Sequence, residues 1–424
     1  MSLVIQFRTF LLVLIAATQV VSPVFMVPGG ASVGGSVFRV ILVAVAVVVL
    51  LTEGMDPVKD ESRRALIAGG ALAAWMLLSL AWTIDVVSGL RQASYIVTTV
   101  LLIYVLNALV RDRRDFFFLA RSVLIIGAIV LVLALYELQS GVHLFRSSIQ
   151  DIAESAVGMS YVLEDQAWFT FGNPNDLAVH LTLVCFLLPL FVNTTGRFLA
   201  AAIYVVVTIY IAATLDARIV LLALVVFTLV YIATSIRRTA GAAIFIAAFG
   251  VFMFVAVLAF ALTARENVSL FDVSTFIRLE LVSGALGMAT QSFFVGVGAG
   301  GFETEMLLRG LVGQTYGIVN PHNAIARMIA ESGIIGTLLF CFLLFGPLLA
   351  LHNKNRDQRL TPFIAATIAA MPLLLSSGSD PLSSSSLQLQ IAIVWLAVSV
   401  RAPFRAATNP QYDSEPAFDV RHSV

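Results

Sequence analysis

The chain has 424 residues, 59% of them hydrophobic and 12% charged, with a mean hydropathy of +0.97. That composition excludes a soluble globular protein. The balance of 25 Lys and Arg against 25 Asp and Glu gives no reason to expect a nucleic acid partner.

Apolar runs close to the roughly 20 residues that cross a bilayer recur along nearly the whole length, which predicts an all-α, polytopic membrane protein. In chain order the predicted spans are 9–27, 36–52, 65–82, 92–110, 119–138, 174–193, 198–214, 217–235, 241–263, 321–350, 361–376 and 385–401, about twelve helices in all. The first follows Arg8 and resembles a signal peptide, but its apolar run is long for one and reads as an uncleaved span. Cys185 and Cys341 both lie in apolar runs and read as small buried hydrophobes, neither a disulfide nor a metal pair.

Charge sets the orientation. With the N-terminus in the cytoplasm, Arg8, Lys59, Arg63, Arg64, Arg111, Arg113, Arg114, Arg121, Arg197, Arg237, Arg238, Lys354, Arg356, Arg359, Arg401, Arg405 and Arg421 all fall inside, as the preference of basic residues for cytoplasmic loops requires. Residues 1–405 then form a single transmembrane domain with both termini cytoplasmic, and 406–424 form a polar tail expected to be disordered. Two long loops, 137–173 and 263–320, face outward and should hold structure of their own. In the second, Phe276, Leu279, Ser283 and Leu286 recur at helical spacing, which predicts a helix on the membrane surface.

Glycines 296, 298, 300 and 301 follow that helix and allow the backbone to approach a ligand or another helix closely. They lack the βαβ setting of a dinucleotide site. The first outer loop ends in Phe169-Thr-Phe-Gly-Asn-Pro-Asn-Asp176, a turn before span six in which Asn175 and Asp176 are polar groups at the outer surface; Asp176 is a turn former or a second base. HExxH, CxxC and P-loop patterns are missing from the sequence, so neither a metal nor another cofactor is expected.

Basic residues left on the outer side need a separate reason. Arg39, Arg91, Arg146, Arg218, Arg265, Arg278, Arg309 and Arg327 form this group. Each could snorkel or pair locally, Arg218 with Asp216 and Arg91 with Asp85. Together, guanidinium groups suit phosphate oxygens, and Arg91, Arg218 and Arg278 are the main candidates to hold a lipid phosphate or pyrophosphate. His322 stands where the second outer loop re-enters an apolar segment behind Pro321, a helix start whose N–H groups and titratable ring could serve an anionic substrate. The alternative is a neutral His bonded to Asn320 or Asn323. Glu331, nine residues on, falls on roughly the opposite helix face, so a packing role with Gly333 and Gly336 suits it better.

Pro321-His-Asn, Glu331-Ser-Gly-Ile-Ile-Gly336, Gly296-Val-Gly-Ala-Gly300 with Phe302, Arg278, and Phe171-Gly-Asn-Pro-Asn175 occur in an order that resembles the O-antigen ligase and polymerase family of bacterial membrane glycosyltransferases. In topology the resemblance runs from about Ala65 to Leu396. It implies about twelve helices with a large periplasmic loop between spans nine and ten, in the bacterial cytoplasmic membrane. It also implies a donor glycan on undecaprenyl pyrophosphate, moved without nucleotide or metal to a glycan or lipid A core acceptor at the outer face. On that resemblance Arg218 and Arg278, with Arg91 as an addition, hold the pyrophosphate, and His322 activates or positions the acceptor. Asn323, Glu331, Asn175, Asp176, Gly298 and Gly300 support them. Leu215-Asp-Ala-Arg218 departs from the family pattern, which would place a small hydroxyl residue before the Arg. The competing reading is a lipid-linked glycan flippase or other polysaccharide transporter, which should carry charges or helix breaks near the bilayer midplane.

Overall fold

The computed structural model describes residues 3–21, 36–53, 59–144, 169–171, 173–237, 273–310, 323–351, 359–377 and 382–401. His322, the ninth predicted span at 241–263, Arg146, Arg265, most of the first outer loop and the C-terminal tail lie outside these residues. The described residues are helical, with no strand among them.

In chain order the helices are α1 (Leu3–Val21), α2 (Val37–Glu53), α3 (Asp60–Ser79), α4 (Val86–Leu109), α5 (Arg113–Ser140), α6 (Pro174–Leu187), α7 (Thr195–Thr214), α8 (Arg218–Arg237), α9 (Val273–Gln291), α10 (Gly301–Leu308), α11 (Ala324–Ala350), α12 (Leu360–Leu374) and α13 (Ser385–Arg401). Five of them, α4, α5, α7, α8 and α11, are long and apolar enough to cross a membrane. Their ends follow local chemistry. Asp85, Asp112, Asn173 and Asn323 each cap a helix by accepting a backbone N–H, and α5 stops at Gly141, whose φ of +66° suits glycine.

α13 runs through the centre, packed against α4, α3 and α1, while α8 lies along α12 and α11 along α3. Almost every residue of α12 and α13 is buried, and Trp395 donates its indole N–H to the Leu343 carbonyl on α11. By contrast α2, α5, α7 and α8 leave large apolar side chains exposed on one face, as membrane-facing helices do.

Side-chain contacts sort the helix ends into two groups. At one end the Glu137 carboxylate accepts the Phe169 N–H, Thr170 bonds the Val20 carbonyl, Gln19 takes the Ser386 hydroxyl, Arg39 reaches Ser383, and Gln139 donates to Tyr210. At the other, Lys59 lies in the field of Asp112 and Asp115, Asp115 lies in that of Arg8, and Ser62 meets Ser399. The basic residues Arg8, Lys59 and Arg113 therefore share an end opposite to Arg39, Arg91 and Arg218, the separation that the charge pattern predicts.

Two expectations change. The predicted span 321–350 is one helix in name only: α11 is broken at Gly333, with φ +63° and ψ −161°. The helix expected between 274 and 289 exists as α9, but its buried stripe is Ile277, Leu281, Ala285 and Met288, packed on Phe302, Met306, Ala326 and Ala330. Leu279 is also buried, whereas Leu286 is exposed and Ser283 partly so. The spacing identified a helix, and the face that packs inward is a different stripe, because α9 packs on protein elements that periodicity cannot see.

Candidate functional site

The break in α11 organises one end of the bundle. A helix interrupted at Gly333 leaves carbonyls and N–H groups that must find partners elsewhere. The Ala330 carbonyl accepts the Val297 N–H at 2.8 Å and the Glu331 carbonyl accepts the Gly298 N–H at 3.0 Å. The Ser332 carbonyl takes the Trp75 indole N–H at 2.8 Å, and the Ile334 N–H turns out to the Phe294 carbonyl at 2.9 Å. The segment 294–300 thus lies directly against the break.

Glycine is required on both sides of this contact. Gly333 and Gly296 both have positive φ, and a Cβ on either would overlap the backbone of the other segment. The far side of the glycine segment meets the α3–α4 corner: Trp82 and Thr83 donate to the carbonyls of Gly296 and Ala299, and Ser79 accepts the Ala299 N–H. Gly298 and Gly300 therefore serve close approach to other helices. Their N–H groups are both taken by Glu331, one by its carbonyl and one by its carboxylate.

Glu331 is fully buried. One carboxylate oxygen accepts from Gly300 N at 3.0 Å, and the other accepts from Arg327 Nε at 3.0 Å. Arg327, 3% exposed, also reaches Glu303 on α10 at 3.2 Å. With its side-chain amide in the orientation that satisfies both atoms, Gln92 on α4 accepts from the same guanidinium at 2.9 and 3.2 Å. One buried cation thus ties α4, α10 and α11 together. Sequence reading placed Arg327 among the outer cations without distinguishing it. The i, i+4 spacing of Arg327 and Glu331 was the signal that could have found this pair.

Asn323, the residue after His322 in sequence, accepts the Ile325 and Ala326 N–H groups at 3.0 and 2.9 Å and donates to Ser376 at 3.0 Å. The Ala324 N–H bonds the Leu375 carbonyl. The first turn of α11 is thereby fixed to the end of α12.

Glu331, Gly298 and Gly300 form one hydrogen-bonded unit at the break in α11, and Asn323 caps the start of the same helix. Arg91 adjoins this unit, next in sequence to Gln92. It also acts on Asp85, whose carboxyl is held below the usual range first by the Ser88 N–H and hydroxyl and, more weakly, by the Arg91 charge. Arg278 sits half-buried on α9, beside the stripe that packs on α11. Arg218 begins α8 and forks onto Asp216, with Nε to Oδ1 at 2.8 Å and Nη2 to Oδ2 at 3.2 Å. Asp176 and Asn175 form the first turn of α6, where Asn173 is the cap. Among the described residues no group of three or more His, Cys, Asp or Glu comes together in a way that could hold a metal.

Residues 199–341 match the family model described as O-antigen ligase, which supports an O-antigen ligase family for this chain. The matched segment contains Arg218, Arg278, Gly298, Gly300, His322, Asn323 and Glu331, whereas Arg91, Asn175 and Asp176 lie outside it. No curated protein matches the chain.

Proposed function

From the O-antigen ligase family match as premise, we propose that this protein is a membrane glycosyltransferase that moves a glycan from undecaprenyl pyrophosphate to an acceptor sugar hydroxyl. The reaction takes place at the outer face of the bacterial cytoplasmic membrane, during surface polysaccharide assembly. The observation that carries the reading is the coincidence of the matched segment with the unit around α11, since one stretch holds two candidate phosphate ligands, the candidate base and the scaffold beside it.

The chemistry asks little of the protein beyond charge and position. The acceptor oxygen attacks the anomeric carbon, the bond to the phosphate oxygen breaks, and its electron pair stays on the pyrophosphate. Arg218 and Arg278, with Arg91, offset the charge that develops there. His322 takes the acceptor proton, a contribution of about 10² to 10⁴ in rate. Asn323, whose side chain fixes the first turn of α11, and Glu331, whose carboxylate holds Arg327 and Gly300, keep rigid the helix that follows His322 in sequence. A single displacement inverts the anomeric configuration.

The test is to incubate the purified protein with undecaprenyl-pyrophosphate glycan and candidate acceptors. His322→Ala should abolish most transfer, and Arg218→Ala and Arg278→Ala should weaken donor binding while leaving the fold intact. Full transfer by the His322 variant removes it as the base. Movement of the donor across liposomes without any transfer product replaces this reading with a flippase.

A further inference from the structure

The turn after α9 carries the most exposed of the large apolar side chains among the described residues, Phe293 at 89%, followed by Phe294 and Val295, each about half exposed. Their exposure is built into the backbone. Phe293 and Phe294 both have positive φ, +52° and +60°, a conformation that bulky side chains rarely adopt. Hydrogen bonds hold it from three sides: Phe294 N–H to the Ala289 carbonyl at 2.7 Å, Val295 N–H to the Ser292 carbonyl at 3.0 Å, and Ile334 N–H to the Phe294 carbonyl at 2.9 Å.

The last of these bonds seats the turn at the head of a second exposed ridge, Ile334, Ile335 and Leu338, on a helix able to cross a membrane. From Ile334 to Ala350 that helix rises about 25 Å at 1.5 Å per residue. This is close to the hydrocarbon thickness of about 30 Å, so with this segment set across the bilayer Gly333 and Phe294 come near one hydrocarbon edge. Trp75 and Trp82 lie at the same level, edge to face at 5.9 Å, with their N–H groups on the Ser332 and Gly296 carbonyls. Indoles with one satisfied polar end and an apolar body concentrate at membrane interfaces.

We propose that Phe293, Phe294 and Val295 form an interfacial wedge that inserts among lipid acyl chains and anchors α9 and α10 to the bilayer. Continuity with the ridge on α11 names the occupant, since the Ile334 N–H to Phe294 carbonyl bond joins the wedge to exposed Ile334, Ile335 and Leu338 on a helix apolar and long enough to cross a membrane. The proposal does not depend on the glycosyltransferase reading.

Site-directed spin labelling tests it. Phe293→Cys, in a chain that also carries Cys185→Ser and Cys341→Ser, is labelled and reconstituted in phospholipid nanodiscs, with Leu338→Cys as the lipid-facing reference. The exposure of Phe293 means that the substitution removes no core contact. Collisions of the label with oxygen should exceed those with a water-soluble nickel chelate, as at position 338. A label reached mainly by nickel places the turn in water and overturns the proposal. So does a label reached by neither reagent, which would mean that another part of this chain or a second copy covers the turn.

Discussion

Replacing Glu331 by Ala removes the acceptor on which α11, the glycine segment and Arg327 converge. The carboxylate is fully buried, with one oxygen on Arg327 Nε and the other on the Gly300 N–H, each at 3.0 Å. In the variant Arg327 keeps Glu303 at 3.2 Å and the Gln92 amide, whereas the Gly300 N–H loses the acceptor it has here. Breaking a buried ion pair from one side costs about 3–5 kcal/mol, and the surviving partners of Arg327 bring the expectation to about 3 kcal/mol. Glu331→Gln retains one acceptor but turns an NH2 donor towards the other N–H and removes the charge, so its cost should be only a little less, about 2–3 kcal/mol. Glu303→Ala removes a carboxylate that is 39% exposed, and an interaction open to solvent contributes about 1 kcal/mol or less. Unfolding by SDS titration in mixed micelles, followed by tryptophan fluorescence, ranks the three variants. The reasoning fails if Glu331→Ala lies within about 0.5 kcal/mol of the parent, or if Glu303→Ala is the more damaging.

Gly333→Ala should cost about 2 kcal/mol or more, because a Cβ there both strains a positive φ and overlaps the backbone at Phe294 and Val295. Gly70→Ala on α3, where nothing lies within 4 Å, should be neutral or stabilise by up to about 1 kcal/mol, and the two melting curves should diverge accordingly. Asn323→Ala should cost about 1–2 kcal/mol and speed amide exchange in the first turn of α11, as read by mass spectrometry; unchanged exchange would remove Asn323 as the cap. Asp85 has a depressed folded pKa, so the stability it contributes is present above its unfolded value near 4 and is lost as pH falls through the lower folded value. Asp85→Asn should therefore flatten the acid limb of the stability profile below about pH 4 and leave its slope near neutrality unchanged.

The membrane helices were legible where a long apolar run gives a local signal, sharpened at α4, α5 and α11 by an Asp, Asn or Gly cap. The break at Gly333 was not. A glycine within an apolar run reads as a small residue for helix packing, and only the carbonyls and N–H groups satisfied by residues near 75 and 294–298 reveal that the helix stops and restarts. Helical phase separated Glu331 from His322, a relation that falls outside the described residues. The actual partners of Glu331, Arg327 one turn earlier and Gly300 thirty-one residues earlier, come one from spacing and one from tertiary contact. The inner face of α9 was not readable for the same physical reason, since burial depends on the neighbour that arrives and the neighbours here are α10 and α11. The separation of basic residues between the two ends was readable because the charge of loop residues is selected by the membrane itself.

Ion pairing alone does not separate a structural arginine from one that can take a phosphate; burial does. Arg327 and Glu331 are 3% and 0% exposed, so an incoming anion would have to strip a desolvated pair and leave a buried carboxylate behind. Arg218 and Asp216 form an equally good fork, but both side chains are 69% exposed, and such a pair contributes about 0–1 kcal/mol. A pyrophosphate, with more charge and more acceptor oxygens than one carboxylate, can take that guanidinium at small cost. On the proposed reading Asp216 would hold the fork extended for the anion. Of these two arginines, Arg327 belongs to the scaffold, and Arg218 is the one whose pairing leaves the proposed role open.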